Sequence, residues 1–187
     1  MKTSHFRTPL FVVCTIIAAL NAVFVSGVFA AGIPIDPCTL LQPADIQVLA
    51  PDARIGNGKP SSDMAPLGSE CVYSWGPRTS QWGEAGVTLV VLDTAKAYPG
   101  VDAATLKSGF DAKVYATNAN KALNDQAWSL PGIGDAADFT YEARSHNGTA
   151  ESYVSKKGVV VSVMFHGDSL ANKDKVIALL KTAVARL

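Results

Sequence analysis

The sequence predicts an α+β domain: an antiparallel β-sheet of about five to seven strands packed against helices. Three observations predict it. Runs of alternating apolar and polar residues are joined by short, turn-rich segments, the pattern of hairpins. Helical stretches lie before, between and after these runs instead of alternating with every strand. The last third reads as a β-meander followed by a C-terminal amphipathic helix. The chain has 187 residues, 48% of them hydrophobic and 17% charged, enough apolar material for one well-filled core. Its formal net charge is zero, which removes the attraction that supplies most nucleic-acid affinity.

Residues 1–30 read as a signal peptide. Lys2, His5 and Arg7 make a basic start, and Leu10 to Ala31 carries no charge. Val28 and Ala30 occupy the −3 and −1 places of a small-residue cleavage site, which sets the cut after Ala30. The alternative is an uncleaved anchor, because about 20 apolar residues span a bilayer; Asn21 and Gly27 weigh against it. Cleavage removes Lys2 and Arg7 and no acid, leaving 14 bases against 16 acids, a net charge of −2. Residues 31–187 then form a single domain, periplasmic or secreted. Cys14 leaves with the signal, and Cys38 and Cys71 remain as an even pair that an oxidising compartment bridges.

The domain begins with a stiff lead-in, Ile33 to Leu41, containing Pro34 and Pro37. Pro43 opens a short helix to about Ala50, with Asp45 in its first turn. Asp52 to Ser69 is rich in Gly, Pro and Ser and holds at most one short strand near Arg54 and Ile55. Cys71, Tyr73 and Trp75 alternate along a strand, with Trp75 expected in the core against the disulfide. Gly86 to Asp93 is an almost continuous apolar run, as in a central strand, and residues 76–83 read as the loop between the two. Asp102 caps a helix from Ala103 to about Tyr115 whose stripe is Leu106, Phe110 and Val114. Gly109 weakens it.

In the last third, Ala137, Phe139, Tyr141 and Ala143 alternate with Asp138, Thr140, Glu142 and Arg144. Asn147-Gly148 turns the chain into a strand at Glu151 to Ser155, and Lys156-Lys157-Gly158 turns it again into Val159 to His166. The final helix carries Val176, Ile177, Leu180, Ala183, Val184 and Leu187 at helical spacing. Strands followed by a helix occur in both halves, a loose structural echo without sequence identity.

No assembled catalytic set is legible. Leu130-Pro131-Gly132-Ile133-Gly134 is like the hairpin of a helix-hairpin-helix DNA module. The period of two that follows makes the next element a strand, and Asp135 and Asp138 would repel a phosphate. The segment therefore reads as a tight turn needing positive φ at glycine, with Asp135 and Asp138 as solvated turn residues. Only His146 and His166 remain after cleavage, without metal-ligand spacing; a site of His166 with Asp135 or Asp168 would have to form in three dimensions. Trp82, in a polar hairpin, and Trp128, before the Pro-Gly turn, are the candidate binding surface, since exposed tryptophans are favoured contact residues.

Pro37-Cys38-Thr39-Leu40-Leu41, Pro43-Ala44-Asp45-Ile46, Glu70-Cys71-Val72-Tyr73 and Pro131-Gly132-Ile133-Gly134-Asp135-Ala136-Ala137 occur in this order. Together they resemble the small secreted cell-envelope domains of unknown function best represented among actinobacterial lipoproteins. The resemblance implies a Cys38–Cys71 bridge and an antiparallel α+β domain, and it carries no catalytic residue. The chain departs from lipoprotein members in lacking an anchoring cysteine after the signal. The expected function is a non-catalytic binding or accessory domain of the cell envelope, without cofactor, metal or nucleic acid. Its partner is a protein or a small molecule, and it meets the membrane only through an uncleaved signal segment. The alternatives are a carrier for a small apolar ligand held between sheet and helices, or an enzyme around His166.

Overall fold

The computed structural model describes residues 35–80 and 83–187; the signal segment with its cleavage site, and Trp82, lie outside the described residues. Among the described residues the strands are β1 (Lys59–Ser61), β2 (Gly68–Ser80), β3 (Gly83–Asp93), β4 (Gln126–Ser129), β5 (Ala136–Glu142), β6 (Asn147–Val154) and β7 (Val159–His166). The helices are α1 (Pro43–Ile46), α2 (Thr94–Ala97), α3 (Ala103–Ala119) and α4 (Lys173–Ala185). The strands form one antiparallel sheet in the order β1-β2-β3-β7-β6-β5-β4. The predicted α+β class, the meander and the terminal helix are all present. Two blocks, β1–β3 and β4–β7, meet where β3 pairs with β7 from Gly86↔His166 to Asp93↔Val159.

Side chains alternate across a strand, so this register sorts the sheet into two faces. One carries Cys71, Tyr73, Val87, Leu89, Val91, Phe139, Val161, Val163 and Phe165, all buried. On it α4 lays Val176, Leu179, Leu180 and Ala183, also buried. Burial of each larger aliphatic among them stabilises the domain by about 1.5–3 kcal/mol. Trp75, half-buried, stacks on Phe165 with ring centroids 6.2 Å apart.

The N-terminal lead-in closes one end of this core. Asp36 accepts from Cys38 N and starts a 3-10 turn over Pro37–Thr39; Asp45 accepts from Gln42 N at 2.8 Å and caps α1. Cys38 and Cys71 are joined by a disulfide, and the Tyr73 hydroxyl donates to Leu41 O at 2.6 Å. From the far end of the chain, Arg186 donates to Leu40 O at 3.0 Å and to Asp45 Oδ1 at 3.1 Å. This clasp holds the Asp45 carboxyl below its ordinary range.

The structure corrects several boundaries. The short strand in the Gly/Pro-rich segment is Lys59–Ser61, not residues near Arg54 and Ile55. There Gly58 lies so close to the disulfide that a Cβ would sit 2.3 Å from Cys71 Sγ. The helix at Pro43 ends at Ile46, and the expected loop over 76–83 is mostly strand. β4 has only four residues, too few for periodicity to reveal. The two halves share an order of strands and helix, but α3 and α4 pack on opposite faces, so no repeat relates them. The Pro131–Gly134 segment is indeed a tight turn. Gly132 and Gly134 have φ of 82° and 57°, and a Cβ on Gly134 would meet Tyr153 O at 2.5 Å.

Closing 33 residues by the disulfide stabilises the fold by about 3–4 kcal/mol on loop entropy. A Cys38→Ala/Cys71→Ala variant is expected to lose about that much in urea unfolding. An unchanged midpoint would show that the bridge contributes nothing beyond α1 and the Arg186 clasp.

Candidate functional site

The second face of the sheet is covered by α3, and here polar residues are buried. Asp102 caps the helix by accepting from Thr105 N at 2.7 Å. Near its C-terminus Asn118 pairs with the edge strand, donating to Ala127 O at 2.8 Å and accepting from Ala127 N at 3.0 Å. Between these ends α3 has no buried residue; Leu106, Phe110 and Val114 face the sheet only half-buried. A cavity of about 200 Å³, open on one side, lies between this helix and the sheet. Its apolar wall includes Tyr98, Val101, Leu106, Phe110 and Val160. At Gly109 the helix has no side chain to fill it, and a Cβ there would meet nothing within 4 Å.

Three charged side chains complete the lining: Lys113, Asp138 and Glu151. Asp138 pairs with Glu151 across β5 and β6, and Glu151 with Ser162 across β6 and β7, so the three point to one face in one row. Lys113 reaches down from α3, its Nζ 2.8 Å from Asp138 Oδ1 and 2.5 Å from Glu151 Oε2. Ser162 donates to Glu151 Oε1 at 2.7 Å. Asp138 is fully buried, and its Oδ2 has no hydrogen-bond partner among the described residues.

Electrostatics follow from this placement. Burial works against the Lys113 charge, but Glu151 and Asp138 outweigh it and raise its pKa. For Asp138 burial wins: loss of water outweighs the ammonium, Glu151 adds repulsion, and the carboxyl is pushed up to about 6. The expectation that Asp138 is a solvated turn residue is therefore corrected. It sits inside β5, beneath the helix that the β3–β4 connection carries over that face. One signal for this was present: Lys113 falls three residues after Phe110 and seven after Leu106, on the apolar stripe of α3.

The other candidate residues are dispersed. Asp135 accepts from Ser155 N and Oγ, both at 2.7 Å, at the end of the sheet where Tyr153 pairs with Val160. His166 lies six residues farther along β7, about 20 Å away at 3.3 Å per residue. There its Nε2 is 3.3 Å from Thr88 Oγ1, and burial lowers its pKa. Asp168 accepts from Ala171 N. His166 and Asp135 thus do not meet, and no group of three His, Cys, Asp or Glu poised for a metal occurs among the described residues. Trp128 lies half-buried on β4, on the face opposite the cavity. Its ring is 5.8 Å from Phe139, with Lys173 Nζ 4.3 Å from its centroid.

Asp138 gives a signed pH effect. Between pH 7.5 and 5 the folded protein takes up a proton at Asp138 that the unfolded chain, titrating near 3.8, does not. Stability from this group therefore rises as pH falls, by about 1–1.5 kcal/mol over that interval. His166, with its lowered pKa, pulls the other way. Comparing the wild type with Asp138→Asn isolates the carboxyl: the gap between their urea-unfolding free energies should change by that amount, and a constant gap would refute the buried ionisation. Set against known proteins, the chain matches no family model, no curated protein and no solved structure.

Proposed function

We propose that this chain is an exported, non-catalytic cell-envelope domain that binds a small molecule with an apolar body in the cavity beneath α3. The observation that carries the reading is a 17-residue helix, capped at one end and fixed to β4 near the other, with no residue buried against the sheet it covers. Packed interiors do not leave such space without consequence: lining atoms beside a void lose their dispersion partners. A cavity of about 150 Å³ holds benzene, so the space here accommodates a single ring with a short substituent.

The disulfide supports an oxidising compartment. Among the described residues no helix is long and apolar enough to cross a membrane. The carrier and the binding domain, separate expectations from sequence, converge in this reading. Trp128 supports a structural role on the opposite face more than a contact role, because Phe139 and Lys173 occupy its ring.

Gly109→Leu separates binding from folding. Replacing an exposed helical glycine stabilises a helix by about 0.5–1 kcal/mol, and at this position on the cavity wall the added side chain has open space to occupy. Toluene at millimolar concentration should shift amide resonances of α3, β5 and β7 in the wild type and leave Gly109→Leu unperturbed. Absence of shifts in the wild type would refute the cavity as a binding site.

A further inference from the structure

We infer that α3 is a lid over this cavity, which rocks outward on the Asn118–Ala127 pair and is held shut more firmly when Asp138 carries a proton. The inference rests on the reading that the cavity binds a small molecule, and it adds how access is regulated.

Three features of the geometry make α3 separable from the sheet. It has no buried residue, so lifting it uncovers little surface that was fully dry. The chain is anchored before and after it. Thr94 N and Oγ1 both donate to Gly158 O, at 2.9 and 2.8 Å, and Asp125 accepts from Ala143 N at 2.8 Å. Between these anchors and the helix lie Gly100, with φ of 79°, and Asn124, with φ of 57°, in short connections suited to absorbing backbone rotation. The pivot is the third feature. The cavity lies under residues 105–113, whereas Asn118, farther along, holds both the N–H and the C=O of Ala127. Rocking about Asn118 opens the cavity and leaves the edge strand in place.

Asp138 couples this motion to protons. With α3 in place the side chain is fully buried, and its Oδ2 has no hydrogen-bond partner among the described residues. An ionised carboxyl held in this way lacks both water and one donor, so its charge favours lifting the helix. Lys113, on α3, pulls the other way through its contact with Oδ1. Burial outweighs that attraction and Glu151, from β6, adds repulsion, so the neutral acid favours the shut helix. From β4, Ser129 lies opposite Asp138, and on its own strand Thr140 donates to Oδ1 at 3.4 Å; neither carries a charge. His166 ends β7 four residues beyond Ser162, about 13 Å away at 3.3 Å per residue. Once α3 lifts, Asp138 meets water and returns from about 6 towards its ordinary 3.8, so opening releases the proton. The open population should therefore fall about tenfold between pH 7.5 and 5.

The test is amide hydrogen exchange on the full-length, disulfide-intact protein without ligand, from pH 5 to 7.5, corrected for intrinsic rates. Amides of residues 106–113 are expected to exchange about 100-fold faster than those of β3 and β7, and with a weaker dependence on urea, because they open without global unfolding. Their protection should rise about tenfold from pH 7.5 to 5 in the wild type and stay level in Asp138→Asn. If Asp138→Asn does not fold, the carboxyl carbon shift of Asp138 in the wild type follows the same proton. Its midpoint should coincide with that of the α3 change. Exchange of α3 only together with β3 and β7, at one urea dependence, overturns the lid. Protection of α3 that ignores pH, or follows another midpoint, overturns the coupling to Asp138. Toluene then separates the two readings: its entry, read from resonance line shapes, should be about tenfold slower at pH 5 than at pH 7.5. Toluene that enters at the same rate at both pH values overturns the lid and leaves the cavity reading standing. Toluene that does not bind at all overturns the cavity reading, and the gating of a ligand with it.

Discussion

The pairing of β3 with β7 is the constraint on which the rest of the structure depends. Eight residue pairs, Gly86↔His166 to Asp93↔Val159, join two antiparallel blocks that are paired nowhere else among the described residues. A slip of one residue would turn Val87, Leu89 and Val91 away from the core and break the continuity of both faces at the centre of the sheet. The register is held by what it buries: Val161 and Val163 on β7 are fully buried opposite Val91 and Leu89, with α4 packed on the same face. Within the second block the β5–β6 and β6–β7 registers line up Asp138, Glu151 and Ser162 on the other face, and the β3–β7 pairing sets Val90 beside the end of that row.

That alignment explains which parts were legible in the sequence. Strands with one apolar face announce themselves by alternation, as β5 does through Ala137, Phe139 and Tyr141, and α4 does so at helical spacing. The same alternation assigns Asp138, Thr140 and Glu142 to water, and for Asp138 this fails. The reason is long-range: α3 is carried to that face by the connection between β3 and the distant edge strand β4, and no local pattern encodes where a crossing helix lands. β1 and β4 went unread because three and four residues are too short to show a period. The cavity could not be read at all, because empty space is a property of how α3 sits and has no residue of its own. Only Lys113, a cation on an apolar stripe, hinted that something charged waited beneath the helix.

The Lys113–Asp138–Glu151 trio, fully buried only at Asp138, also runs against the usual make-up of a protein interior. Removing one partner of a buried ion pair costs about 3–5 kcal/mol, yet replacing the whole group by apolar residues is often neutral or stabilising. Retention of an acid beneath an under-packed helix is therefore poorly explained by stability alone. Local conflicts of this kind concentrate where a protein does something other than fold. Lys113 and the Asn118 clamp on β4 fix the helix over the opening, while Gly109 keeps it unfilled.

The Arg186 clasp has a consequence for biosynthesis. It ties Arg186 to Leu40 and Asp45, and β7 likewise completes β3 from much later in the chain. The half that leaves the ribosome first cannot finish its own core. Until the second half arrives, Val87, Leu89 and Val91 stand on an open strand edge, the kind of surface that recruits neighbouring chains into aggregates. A chain cut short within α3 leaves that edge unpaired, and only β7 with α4 covers it.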